Sequence, residues 1–370
     1  MKKLHFILAL AMLTLSATAE NLPPRAPTPA APVSPELLAG NRVTFRCLAP
    51  NAKEIKVSGQ FGNELKMEKT ETGLWSVTSG SITPGIYEYH FEVDGMNVLD
   101  PFNPAIKPQR NPGSSILHLP STPPAPWDLT DIPHGTLSQH DYFSKTLGKW
   151  RHLTVYTPPG YRSDGPELPV LYLSHGFSDN DQSWSTHGKA HWIMDSLLAA
   201  GKAKPMLIVM PDAHALPPGA SWSDDYADEN TRAFCKELAE DVIPLIEQSY
   251  QVNPKPTHRA FAGLSMGGRH ALTVAITMSD RFSQVGAFSL AVPAENLIAT
   301  ALENVPAIND QLKLLWIACG KDDFLFETNQ SFHALLKQKG VKHEYLITEG
   351  NHSWPVWRRY LADFVPKLFP

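Results

Sequence analysis

Cysteine is scarce in this chain: three occur in 370 residues, at Cys47, Cys235 and Cys319. An odd, scattered set is not a disulfide framework. One bridge, Cys235 to Cys319, stays open against the alternative of three small buried hydrophobes. Metal-ligand spacing is missing too, with no C-x-x-C and no H-E-x-x-H, so no metal site is expected. A net charge of −5 without any basic block argues against nucleic acid as a partner. Beyond the N-terminus no segment approaches 18 uninterrupted apolar residues, which excludes a transmembrane helix there.

Proline, by contrast, is plentiful, and it divides the chain. The first residues read as an export signal: Lys2 and Lys3, an apolar stretch from Leu4 to Leu15, then Ala17-Thr18-Ala19 as an A-x-A-like cleavage site. Residues 1–19 are therefore expected to be a signal peptide, and the mature protein to be secreted or periplasmic. Six prolines between Pro23 and Pro35 cannot build a core and predict an extended linker over 20–35. A second cluster, Pro120 to Pro133, predicts another linker over 120–140. A chain of this length suits two domains.

The block 36–119 alternates. Arg42 to Cys47, Ile55 to Gly59, Trp75 to Thr78 and above all Ile86 to Val93 carry the period of two expected of strands. Asp94-Gly95 is a hairpin turn signal. Together they suggest a small β-sandwich. Trp75 has two readings, a sugar-stacking platform or core.

From 141 onward strands alternate with helices, the signature of an α/β sheet. Strands are expected over 151–156, 170–174, 206–210, 259–262, 285–290, 314–318 and 343–347, and helices over 190–200, 231–250, 266–278, 329–340 and 355–368. The runs Val170 to Leu173 and Met206 to Met210 are wholly apolar, as central parallel strands should be.

Within this half stands Gly263-Leu264-Ser265-Met266-Gly267. It has the G-x-S-x-G form of a nucleophile elbow, in which a sharp turn projects a serine and tolerates only small residues two places either side. With Gly and Ser each at roughly 7 % of positions, chance gives this pattern about one time in ten in such a chain. Its setting, a strand before and a helix after, is what distinguishes a nucleophile from a glycine-rich turn.

An α/β-hydrolase places base and acid after the serine, acid first. His270 lies on the helix directly after Ser265 and would point away from it. His333 falls mid-helix and His343 in a strand. His352, in Glu349-Gly350-Asn351-His352-Ser353-Trp354, sits in a loop before the last helix and is the expected general base. The acid should follow strand 314–318, where Asp322 and Asp323 adjoin. Ser174-His175-Gly176-Phe177 follows an early central strand, so the oxyanion donors are expected to be the backbone N–H groups of Phe177 and Met266. His175 is expected to shape that loop.

Two resemblances follow from these motifs. Val43-Thr44-Phe45, Ala49-Pro50-Asn51-Ala52, Val57-Ser58-Gly59, Gly73-Leu74-Trp75, Pro84 to Tyr89 and Asp100 to Pro104 resemble carbohydrate-binding module family 48, which implies an immunoglobulin-like domain with a glycan-binding or substrate-shaping role. The chain from about Lys149 resembles carbohydrate esterase family 1, the feruloyl and acetyl-xylan esterases, overlapping the esterase D and enterochelin esterase group. The carriers are Val155 to Tyr161, Leu173 to Phe177 with Ser183-Trp184, Phe261 to Gly268, Cys319 to Phe324, and Asn351 to Trp357. This second resemblance implies an α/β-hydrolase fold over 141–370 and a serine esterase without cofactor. Its G-x-x-D pattern picks Asp323 as the acid, with Asp322 the alternative. It also implies feruloyl esters of plant cell-wall xylan as substrate, with acetyl-xylan or siderophore esters, or a silent glycan-binding protein, as alternatives. Phe177, Trp222 and Trp354 are the aromatic residues expected to cradle an acyl group.

Overall fold

The computed structural model describes residues 31–217, 219, 221–293 and 302–370. The expected signal peptide and most of the first proline-rich stretch lie outside them. Residues from Val33 to Pro370 form one compact unit.

Its first part is two packed antiparallel sheets. One orders β1 (Glu36–Leu38), β2 (Arg42–Leu48), β6 (Leu74–Thr78) and β5 (Glu68–Lys69) as β1-β2-β6-β5. The other runs β4 (Leu65–Lys66), β3 (Ile55–Gly59), β7 (Gly85–Val93), β8 (Met96–Val98), with β9 (Ser115–Leu119) also on β7. Alternation explains the packing: Val43, Phe45, Val57, Trp75, Tyr89, Phe91 and Leu117 turn inward to one core. Asp94 and Gly95, at φ 47° and 87°, make the tight β7–β8 turn that their sequence predicts. Trp75 is core: it is 5 % exposed and its indole N–H donates to Ala49 O at 2.9 Å. Packing begins earlier than expected, because the Ser34 hydroxyl, in the predicted linker, is buried and donates to Asp100 at 2.6 Å.

The second part is an eight-stranded sheet. Its strands are β10 (Thr136–Ser144), β11 (Lys149–Thr157), β12 (Val170–Ser174), β13 (Leu207–Pro211), β14 (Arg259–Leu264), β15 (Gln284–Phe288), β16 (Leu314–Gly320) and β17 (Glu344–Thr348), in the order β10-β11-β13-β12-β14-β15-β16-β17. The pairs β10–β11 and β11–β13 are antiparallel, and every later pair is parallel. Strands β12, β13 and β14 are buried along their whole length, and one core lies on each face. Strand β10 arises within the predicted second linker.

The helices are α1 (Ser183–Thr186), α2 (Ala190–Ala199), α3 (Asp224–Glu237), α4 (Ile243–Ser249), α5 (Met266–Thr277), α6 (Val305–Gln311), α7 (Phe326–Lys339) and α8 (Trp354–Phe364). Helix α3 starts seven residues before the predicted 231. The Ser223 hydroxyl caps it by accepting from Tyr226 N–H, and Asp224 and Asp225 fill its first turn, where the helix dipole favours anions. The three cysteines are free and buried, so the Cys235–Cys319 bridge does not form. None of the described helices is long and apolar enough to cross a membrane.

The sandwich and the large sheet meet across a charged junction. Arg358, on α8, is 1 % exposed. Its guanidinium donates to His187 O at 2.9 Å on one side and to Ile86 O of β7 at 3.0 Å on the other. Beside it, Glu88 of β7 pairs with Lys107 at 3.2 Å and His187 at 3.4 Å. Burial, reinforced by the nearby Arg358 charge, holds His187 at about 4. Burial opposes ionisation of Glu88, but His187 and Lys107 outweigh it and bring the carboxyl down to about 2.

Two outcomes follow from this junction. Arg358→Met leaves two buried carbonyls unpaired and should lower unfolding free energy by about 2–4 kcal/mol in urea titrations. Both depressed groups bind protons more readily unfolded than folded, so acid must destabilise. Stability should decline from near pH 6.5, as His187 charges in the unfolded chain, and continue through 4.5 as Glu88 is protonated there, towards 2. Urea midpoints measured across pH 3–8 check the sign.

Candidate active site

Ser265 occupies the turn between β14 and α5 with φ 53° and ψ −112°, a region that L-residues seldom adopt. Three backbone bonds hold it there: Ser265 N–H to Phe288 O at 2.9 Å, and Arg269 and Ala291 N–H to Ser265 O at 3.0 and 3.3 Å. The flanking glycines are required by close approach. A Cβ on Gly263 would fall 2.4 Å from Gly267 O, and one on Gly267 would fall 2.5 Å from Ser174 O.

Of the two adjacent aspartates, Asp323 meets the histidine. Its carboxylate oxygens lie 3.0 and 2.9 Å from His352 Nδ1, whereas Asp322 is exposed. Asp323 also accepts from Leu325 N–H at 2.9 Å. Burial works against its ionisation, yet the hydrogen bonds from His352 and Leu325 hold the carboxyl below the ordinary range. With Nδ1–H committed to that carboxylate, the His352 Nε2 lone pair is the one left to take a proton. Phe324 packs on the imidazole at 4.5 Å and Trp357 meets it edge-on at 4.9 Å.

Ser265 and His352 both line a cavity of about 520 Å³. Phe177 and Trp222 line it too, meeting edge-to-face at 5.3 Å. Trp222 is 40 % exposed, at the rim. Trp354 lines the cavity as well but is almost wholly buried, packed on Trp184 at 5.0 Å and on His187 at 5.3 Å. It forms part of the cavity wall, with most of its ring in the core because it is the first residue of α8. Phe324, which sequence reasoning passed over, is 76 % exposed and stands at the mouth. Met266 opens α5, and the N–H groups of a helix's first turn have no acceptor within that helix. His270 is fully buried, stacked on Phe234 and 3.2 Å from Ser174 Oγ, and is not part of the cavity wall. His175 donates from Nδ1 to Gly176 O at 2.7 Å and accepts at Nε2 from Ala213 N–H at 2.8 Å, pinning the loop that carries Phe177. His333 and His343 bond each other at 2.8 Å, apart from the cavity.

Sequence reasoning missed one whole side of the cavity. Gln60, Glu88 and Lys107, all from the sandwich, border it. No local pattern marks them, since only the folding of the sandwich onto the sheet brings them there. Among the described residues no cluster of three or more His, Cys, Asp or Glu could hold a metal ion.

A mostly parallel sheet with a serine on a sharp strand-to-helix turn defines the α/β-hydrolase class. Within that class the chain belongs to the esterase family: residues 144–368 match the family model described as putative esterase. It is a carboxylic ester hydrolase. Among its relatives is an endo-1,4-beta-xylanase/feruloyl esterase of Xylanibacter ruminicola, 32 % identical over 339 residues. That match takes in 88 % of this chain, and hence much of the sandwich, but the chain spans only 44 % of the relative's length. A solved ferulic acid esterase of the anaerobic fungus Anaeromyces mucronatus is 26 % identical with a TM-score of 0.58, covering 65 % of this chain and 93 % of that one. The enterobactin esterase of Shigella flexneri shares the fold over 89 % of this chain and 93 % of its own, with a TM-score of 0.64 at 18 % identity.

Gly267→Ala should disable the turn, because the intruding methyl meets backbone rather than a movable side chain. Ester hydrolysis is expected to fall at least roughly 100-fold as the Ser265 turn shifts. Rates on a small aryl ester, with circular dichroism as a folding control, check it.

Proposed function

We propose that this esterase, exported from the cell, removes feruloyl or related hydroxycinnamoyl groups from the xylan of plant cell walls. The observation that carries the reading is the cavity at Ser265. At about 520 Å³, rimmed by Phe177, Trp222 and Phe324, it suits an aromatic acyl group. An acetyl group would leave most of it empty. The likeness to a xylanase/feruloyl esterase across most of the chain points the same way.

In this mechanism Ser265 Oγ attacks the ester carbonyl while His352 Nε2 takes its proton. Asp323 keeps the imidazole in the tautomer that presents Nε2 and stabilises the imidazolium that forms. The backbone N–H groups of Phe177 and Met266 hold the oxyanion. As the carbon–oxygen bond to the sugar breaks, His352 returns the proton to the leaving alcohol. Water, deprotonated by the same nitrogen, then attacks the acyl-enzyme, releasing the hydroxycinnamic acid and restoring Ser265. Water is the only co-reactant, and an acylated plant polysaccharide or oligosaccharide is the partner. The sandwich, which resembles carbohydrate-binding module family 48, stands beside the site as a substrate-shaping domain.

A second reading is a siderophore esterase. The enterobactin esterase fold spans both parts of this chain, whereas the fungal feruloyl esterase covers about two-thirds of it.

Rates on methyl ferulate, acetylated xylan and an enterobactin-type trilactone separate these readings, with methyl ferulate expected fastest. Preference for the acetyl or siderophore ester would replace the proposed substrate. Ser265→Ala should lower kcat roughly 10⁴-fold or more, and Asp323→Asn on the order of 10³-fold to 10⁴-fold with KM little changed. Full activity of Ser265→Ala would refute the mechanism.

A further inference from the structure

The wall of the catalytic cavity is divided by chemistry. Phe177, Trp222, Leu264 and Phe324 make its apolar part, all from the large-sheet half. Gln60, Glu88 and Lys107 from the sandwich, with Asp179 opposite them, make a polar part. These four are poised to bind rather than only to pair with one another. Lys107 is 8 % exposed, and its ammonium lies 3.2 Å from Glu88 and 3.7 Å from Asp179. An ammonium carries three donors, and the 3.7 Å separation is too long for a hydrogen bond. Asp179 is 4 % exposed, and its Oδ1 has no hydrogen-bond partner among the described residues. A buried carboxylate oxygen in that condition is costly unless something bonds to it. The Gln60 amide oxygen accepts from Glu88 N–H at 3.0 Å, which leaves the NH₂ group available to the cavity.

Away from the cavity, no aromatic side chain of the sandwich is fully exposed among the described residues, and Phe61, Tyr87 and Phe102 are half-buried. The large hydrophobic side chains it exposes between residues 33 and 119 are Val33, Leu37, Leu48, Met96, Val98 and Ile106, with no aromatic among the described residues. Trp75 is inside.

We infer that the sandwich completes the substrate site, with Lys107 and Gln60 as donors and Asp179 and Glu88 as acceptors for the hydroxyl-bearing part of the ester. Resting on the esterase reading above, this assigns the sandwich a subsite within the catalytic cavity. The hydroxyl comes from one of two sources, the phenol of a hydroxycinnamoyl group or the sugar on the alcohol side. Both present a donor to Asp179 and an acceptor to Lys107.

The test uses the full chain, with Lys107→Met and, on the exposed face, Gln60→Ala. Two ratios of kcat/KM are measured: methyl ferulate over methyl cinnamate, which lacks the phenol, and 5-O-feruloyl arabinose over methyl ferulate. Loss of a hydrogen bond to the Lys107 charge should reduce one ratio roughly tenfold or more, with a smaller fall for Gln60→Ala. A drop in the first ratio places the phenol in the subsite, and a drop in the second places the sugar. Unchanged ratios in both variants would overturn the inference while leaving the esterase mechanism intact. If Lys107→Met does not fold, Gln60→Ala decides. Should the wild-type enzyme prefer acetyl esters, the feruloyl reading fails, and acetylated xylose over ethyl acetate reads the subsite in its place.

Discussion

A serine held at positive φ is the constraint around which the catalytic half is arranged. Such a backbone conformation costs on the order of 1–3 kcal/mol and persists only where its surroundings over-determine it. Here they do. Ser265 N–H is tied to β15 through Phe288 O, and its carbonyl takes bonds from Arg269 and Ala291. Gly263 and Gly267 let the turn close on itself and on Ser174. The fully buried strands on either side, β12 and β15, give that turn a rigid base. Once Ser265 is fixed, the parallel register brings the ends of β16 and β17, and with them Asp323 and His352, to the same edge of the sheet.

Much of this could be read from the sequence because the chemistry is local. G-x-S-x-G between an apolar run and a helix, and a histidine in the loop before the last helix, are patterns a few residues long. The choice between Asp322 and Asp323 is local only through the G-x-x-D spacing of the resemblance, which picks Asp323; the residues by themselves leave both open. What separates them is how the chain turns after β16, where Asp323 is carried under His352 while Asp322 faces solvent. Helix α3 begins earlier than its apolar period suggests because its first turn is acidic. Ser223 followed by Asp224 and Asp225 is itself a helix-start signal, seven residues ahead of the apolar period.

Least legible was the participation of the sandwich. Lys107 lies between Ile106 and Pro108 in an undistinguished stretch, and Glu88 is one of several acidic residues on alternating strands. Nothing nearby in sequence announces that they border the cavity. Their placement depends on contacts between residues far apart in the chain, such as Arg358 to Ile86. Trp354 shows how burial and lining combine: it borders the cavity, yet its place at the head of α8 packs most of the ring into the core.

The bridge made by Arg358 also bears on how such chains can be recombined. A fusion point is tolerated where few contacts cross it. The proline-rich stretch after β9 looks like such a point, yet the guanidinium and the Glu88–Lys107–Asp179 charges span the two halves behind it. Exchanging the sandwich for an unrelated module would strand buried charge on the esterase side. The unit that can move intact between larger polypeptides is therefore the pair, sandwich and catalytic sheet together.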